Sequence, residues 1–60
     1  MKARAILYEV IDIEKKRLVA ITVNPYHACM FWEDYKDRGG KAIIEIKGRD
    51  VTMDVLRSLK

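Results

Sequence analysis

One stretch, residues 24–40, constrains the fold more than any other because it contains both the start and the stop of a helix. Asn24 is a residue type whose side chain accepts hydrogen bonds from the first free N–H groups of a helix. Pro25 suits the first helical position, where no N–H donor is needed. Gly39 and Gly40 supply the left-handed conformation that commonly ends a helix. The stretch is therefore predicted to form one amphipathic helix.

Apolar residues occur on both sides of this predicted helix, as a regular stripe on one side and as a pair on the other. Four residues follow the i, i+3, i+4, i+7 spacing of a single apolar stripe, and we expect them to face the core: Ala28, Phe31, Trp32 and Tyr35. Tyr26 and Met30 are four residues apart and lie on roughly the opposite side. Isolated apolar side chains are common on protein surfaces, which is the simpler interpretation. The alternative is a docking patch for a protein partner, made of Tyr26, Met30 and the flanking Cys29, with Glu33 and Asp37 as its rim.

Three other stretches are rich in β-branched and apolar residues and are predicted to be strands: 3–13, 18–23 and 41–47. Residues 14–17 form a break short enough for an antiparallel hairpin. Gly48 and Arg49 form a second break. Asp50 is then placed to cap a short helix through Leu59, with one face made of Val51, Val55, Leu56 and Leu59.

These elements predict a single small α+β domain over residues 1–60, in β-β-α-β-α order. Its sheet is three-stranded and mainly antiparallel, with both helices on one face. Pairing of the third strand with the first gives the antiparallel order 2-1-3, which we favour. Pairing with the second strand would be parallel and would need a helical crossover.

The two faces of the predicted sheet are both rich in apolar residues. Period-two alternation assigns nine residues to the face that meets the helices: Ile6, Tyr8, Val10, Val19, Ile21, Val23, Ala42, Ile44 and Ile46. The reverse face carries Ala5, Leu7, Ile11, Ile13, Leu18, Ala20 and Ile43. A sheet with one wet face should alternate more sharply. Because so small a domain has a small core, we expect a homodimer through this face or through an edge strand. The alternative is a monomer with an apolar surface.

The net charge of +3 is mildly basic and allows an acidic partner without requiring one. The predicted topology places the first turn and the end of the first helix at the same pole, where six cations gather: Lys15, Lys16, Arg17, Lys36, Arg38 and Lys41. Such a cluster could contact the phosphates of a nucleic acid or an acidic protein surface. Basic turns and helix ends are also ordinary solvated positions, and no nucleic-acid-binding motif is present.

The residue types needed for catalysis or metal binding are sparse. His27 and Cys29 are the only residues of their kinds, and two positions apart on a helix they point in different directions. They are too few to ligate zinc, which takes four ligands. We therefore expect no cofactor, no metal and no enzymatic activity. An active site assembled across a dimer around His27 and Cys29 has no support in the sequence. A lone cysteine favours a reducing compartment, and no apolar run is long enough to span a membrane.

Two functions follow from these observations. We expect a small, non-enzymatic, cytoplasmic protein-binding or regulatory module that self-associates, with Tyr26, Cys29, Met30, Glu33 and Asp37 at the contact. The alternative is an accessory protein that binds nucleic acid through the basic pole.

Overall fold

The computed structural model describes residues 5–59, and within them the chain folds into a small α+β structure with two helices and an antiparallel sheet. Every pair of neighbouring strands is antiparallel, and the strand order is β2-β1-β3-β4. The predicted order 2-1-3 is therefore confirmed for the first three strands. The elements are β1 Tyr8–Asp12, β2 Arg17–Thr22, α1 Pro25–Asp37, β3 Ala42–Ile46, β4 Arg49–Asp50 and α2 Thr52–Ser58.

The prediction of a three-stranded sheet is wrong, because the break expected at Gly48 and Arg49 is the tip of a second hairpin. Ile46 pairs with Arg49 across a two-residue turn. The turn residues Lys47 and Gly48 have φ angles of 51° and 80°. Positive φ at both central residues defines the type I′ turn, whose twist suits an antiparallel hairpin. A strand of two residues is too short to leave a hydrophobic pattern in the sequence.

Helix α1 begins and ends where its sequence predicts, but of the two glycines only Gly39 is left-handed, so that prediction is wrong for Gly40. The Asn24 side chain accepts hydrogen bonds from the N–H groups of Tyr26 and His27. At the other end, Gly39 has a φ of 91° and donates to the carbonyl of Lys36 at 2.9 Å, while Gly40 donates to that of Tyr35 at 3.1 Å. These two bonds form the Schellman motif, which satisfies carbonyls that the helix leaves free.

One hydrophobic core joins both helices to the same face of the sheet. Its fully buried members are Val10, Ala28 and Ile44, and Val51 and Val55 complete it from the α2 side. Trp32 and Tyr35 pack against this core as predicted, and the indole N–H of Trp32 donates to the carbonyl of Ala42 at 2.8 Å. Phe31 is 45% exposed, so its assignment to the core is wrong. Phe31 lies at the edge of the apolar stripe, on a side of the helix that does not face the sheet.

A β-bulge in β2 reassigns several residues between the two faces. Val10 pairs with Ala20, but Ile11 pairs with Leu18, so Val19 is the extra residue in this strand. The bulge moves Ala20 to the core side and Ile21 to the reverse face. The faces predicted for these two residues are therefore wrong, and three residues expected to face the helices are exposed instead: Ile6, Ile21 and Val23.

The first strand is shorter than predicted, since it starts at Tyr8 and ends at Asp12. Residues 5–7 and Ile13 lie outside it, and the predicted strand positions 3 and 4 fall outside the described residues. Asp12 is only 2% exposed, and the sequence pattern does not predict the burial of this carboxylate. The oxygen Oδ1 of Asp12 accepts hydrogen bonds from the N–H groups of Glu14 and Lys15, both at 2.8 Å, and thereby fixes the β1–β2 turn.

The sheet face that points away from the helices, which we call the back face, is apolar along its middle row. Strand pairing aligns Leu18, Ile11 and Ile43 side by side across β2, β1 and β3. Leu18 is 52% exposed, and Ile13, just past the end of β1, is 46% exposed. The buried residues of both helices belong to the opposite face, so neither helix covers this row.

Candidate functional site

The two helices enclose a groove, the α1–α2 groove, with a volume of about 400 Å³. Helix α1 contributes Tyr26, Cys29, Met30 and Glu33 to its lining, which are four of the five residues that the sequence predicts as a protein contact. Tyr26 is 60% exposed and Met30 is 52% exposed. The structure therefore brings these residues together on one concave surface.

Asp37, the fifth predicted contact residue, lies outside the groove. It borders a neighbouring depression with Trp32, Glu33 and Lys36. The ammonium group of Lys36 lies 4.3 Å from the centre of the Trp32 ring, within the range of a cation–π interaction. Glu33 and Trp32 line both concave surfaces. Asp37 follows Glu33 by four residues, so it lies one helical turn beyond the end of the groove.

Three residues of the groove were not predicted as contacts. Leu56 and Leu59 form its α2 wall, and Trp32 lies at its base. Leu56 and Leu59 were expected to share one face with Val51 and Val55, yet only the two valines are buried, and Leu59 is 37% exposed. Leu59 is four residues after Val55 and shares its side, whereas Leu56 lies about 100° around α2 from Val55, so the apolar face is wide enough to meet both the core and the groove.

The two residues with catalytic potential do not form a reactive pair. Cys29 is half-buried between the helices, and this burial raises the pKa of its thiol, with a further contribution from the negative charge of Glu33. A raised pKa keeps the thiol protonated and therefore poorly nucleophilic. His27 is exposed on another side of α1, beside the ring of Tyr26. Within residues 5–59, no three His, Cys, Asp or Glu side chains come together to hold a metal ion.

Three of the six cations expected at the basic pole interact with groups of the chain itself. Arg38 pairs with Asp34 at 3.1 Å, Lys41 pairs with Glu14 at 3.6 Å, and Lys36 lies over the Trp32 ring. Lys15 and Arg38 border one small depression of about 220 Å³ beside Tyr35. Lys16 lies in the adjoining β1–β2 turn, Arg17 is the first residue of β2, and both are exposed.

Comparison of the chain with models of protein families, with curated proteins and with solved structures gives no match. The class that can be stated is therefore structural: a small α+β domain with two helices over a four-stranded antiparallel sheet. Among the described residues, neither helix has the length and hydrophobicity needed to cross a membrane.

Proposed function

We propose that this chain is a small, non-enzymatic protein-binding module that captures a partner in the α1–α2 groove and also self-associates. One observation carries the proposal. Tyr26 and Met30 are more than half exposed, at 60% and 52%, and both line a groove whose opposite wall is made of Leu56 and Leu59. Aromatic and methionine side chains in a concave apolar site are typical of the centre of a protein interface.

The charge at the end of the groove indicates the chemistry of the partner. Glu33 lines the groove, and Asp37 follows it one turn later on α1. An apolar segment of the partner would fill the space between the helices. A lysine or arginine next to that segment would meet the two carboxylates, which otherwise repel each other weakly at i, i+4 spacing.

A binding role is also favoured by the chemistry of Cys29. Its raised pKa disfavours a nucleophilic thiolate, so the side chain contributes apolar surface to the groove instead. A single thiol without an internal disulfide partner suits a reducing compartment, and we propose the cytoplasm as the site of action.

The test compares partner capture by three forms of the chain. Wild type, Met30→Glu and Met53→Glu are immobilised and exposed to the same cell extract, after thermal melts by circular dichroism have confirmed that each is folded. Met53 is 66% exposed and does not line the groove, so it is the matched control. We expect at least one protein to be retained by wild type and by Met53→Glu, and to be reduced at least about tenfold by Met30→Glu. Equal retention by all three forms, or unfolding of Met30→Glu, would reject the groove as a contact.

Nucleic-acid binding through Lys15, Lys16, Arg17, Lys36, Arg38 and Lys41 is the alternative function. Pairing of Arg38 with Asp34 and of Lys41 with Glu14 reduces the positive charge available to phosphates, which is why we favour the protein partner. Binding through this pole predicts an affinity that falls steeply with salt. A mobility-shift assay at low salt that retains neither DNA nor RNA would eliminate this function.

A further inference from the structure

We propose that the back face of the sheet is the self-association surface, and that a second copy docks on it through a two-fold axis lying along the row Leu18, Ile11 and Ile43. This inference deepens the self-association part of the proposed function and is independent of the groove. It assigns a specific cross-chain contact, Lys41 of one copy with Glu45 of the other.

The rows of side chains on the back face differ in charge. Strand pairing places Ile21, Glu9 and Glu45 in one row beside the aliphatic row. On the other side of the aliphatic row, the N–H of Ile13 donates to the carbonyl of Lys41 at 3.0 Å, so these two residues form the next row. The aliphatic row thus lies between an acidic row and a row that contains a lysine.

Two-fold symmetry brings unlike flanking rows of the two copies together. A two-fold axis along the aliphatic row sets Ile43 against Ile43 of the second copy and exchanges the flanking rows. Each strand stays above its own counterpart. Glu45 of β3 therefore meets Lys41, just before β3 of the second copy, and Glu9 of β1 meets Ile13, just past the end of its β1. A symmetric contact of this kind is self-complementary in both charge and hydrophobicity.

The single chain holds two carboxylates next to each other on the back face. Glu9 and Glu45 are directly opposite each other on neighbouring strands, and both are half-buried. Like charges in this arrangement are destabilising. Neither carboxylate belongs to an ion pair among the described residues. Lys41 of a second copy would place an ammonium group beside both, and its own ion pair with Glu14 is solvent-exposed and weak.

The size of the face sets the expected strength of the dimer. Three strands by about five residues give roughly 240 Å² in projection, from the ordinary spacings within a sheet. Stable complexes bury about 800 Å² of accessible surface per partner. The face is smaller than this, so we expect a weak, reversible dimer that forms at chain concentrations below about 1 mM.

The test measures molar mass by sedimentation equilibrium from about 10 μM to 1 mM chain, a range that covers weak dimers. We expect wild type to dimerise and Leu18→Glu to raise the dissociation constant by about 100-fold, because each substitution acts twice in a symmetric dimer. Met53→Glu is the control away from the face and should dimerise as wild type does. Should Leu18→Glu fail to fold, Ile21→Glu on the same face replaces it, since Ile21 is 47% exposed.

A charge exchange tests the assigned contact. Lys41→Glu and Glu45→Lys should each weaken the dimer by about tenfold, and the double variant should restore it, because the pair is rebuilt across the two copies. A wild type that is monomeric at about 1 mM, a dimer that survives Leu18→Glu, or a double variant without recovery would overturn the proposal. Loss of the dimer in Met30→Glu alone would move self-association to the groove, a result separate from the failure of partner capture.

Discussion

The hydroxyl of Tyr35, in the second half of α1, donates a hydrogen bond to Oδ2 of Asp12, the last residue of β1. The other carboxylate oxygen holds two N–H groups of the following turn, so one buried side chain connects the helix, the strand and the turn. The Tyr35 bond is the main reason that the pKa of Asp12 lies below its usual value. The same bond raises the pKa of Tyr35.

This pair predicts how stability depends on pH. Because the pKa of Asp12 is lower in the folded chain, its charge stabilises the fold above the unfolded pKa of about 3.9, and this contribution is lost as the pH falls through the folded pKa. Tyr35→Phe should lower the free energy of unfolding at neutral pH and flatten its decline below about pH 4. Urea denaturation from about pH 7 to pH 2 measures both effects.

Tyr8→Phe is the control for this pair, since Tyr8 packs against the core without a hydrogen bond to Asp12. A Tyr35→Phe profile parallel to that of wild type in acid would contradict the prediction. The contribution of Tyr35 to stability depends on pH in the opposite direction. Because the pKa of Tyr35 is raised in the folded chain, this contribution is fully present below about pH 10 and is lost as the pH rises through the folded pKa.

Gly40 is required by a close approach rather than by its backbone angles. A methyl group at this position would overlap the ring of Tyr35, which its hydrogen bond to Asp12 holds in place. We expect Gly40→Ala to destabilise the chain by about 1–3 kcal/mol through overpacking. Gly39→Ala, where there is open space and only the positive φ matters, should cost about 1 kcal/mol. Thermal melts of the two variants, with Gly39→Ala the more stable, check this order.

The turn between β3 and β4 contains a correctable strain. Lys47 adopts a φ of 51°, a conformation in which asparagine is far better tolerated than lysine. Lys47→Asn creates the preferred Asn-Gly pair and should stabilise the chain by about 0.5–1 kcal/mol. Lys15→Asn makes the same chemical change at a turn residue without positive φ and should have no such benefit. A melting temperature raised equally by both would show that charge, rather than backbone strain, is the cause.

Thr52 anchors the start of α2 to β3. Its hydroxyl oxygen accepts from the N–H of Ile44 at 2.8 Å and donates to Oδ1 of Asp50 at 2.7 Å, and the residue is 8% exposed. Thr52→Val keeps the shape but leaves the N–H of Ile44 buried and unpaired, which should cost about 1–3 kcal/mol. Thr52→Ser keeps the hydroxyl and should cost less. Hydrogen exchange of the Ile44 amide, faster in Thr52→Val alone, identifies the bond that is lost.

The elements that local chemistry defines were predictable from the sequence. Asn24, Pro25 and Gly39 set the limits of α1, and the β-branched content of 41–47 predicted β3 to within one residue at each end. The bulge at Val19 was not predictable, because residues 18–23 are apolar at nearly every position and fit either face. The two-residue β4 was missed because it is too short to carry a pattern, and Lys47-Gly48 is not one of the dipeptides that mark a two-residue hairpin turn. The burial of Asp12 depends on its contact with Tyr35, 23 positions along the chain, which no local pattern encodes.

The attachment of α2 to β3 has a consequence for anything that binds between the helices. The N–H of Val51 donates to the carbonyl of Ile44 at 2.8 Å, and the Thr52 hydroxyl holds the amide of the same residue. One wall of the groove is therefore tied to the central sheet by bonds that would have to break before it could swing outward. A ligand meets a preorganised surface, so the entropic cost of association falls mainly on the ligand's own chain.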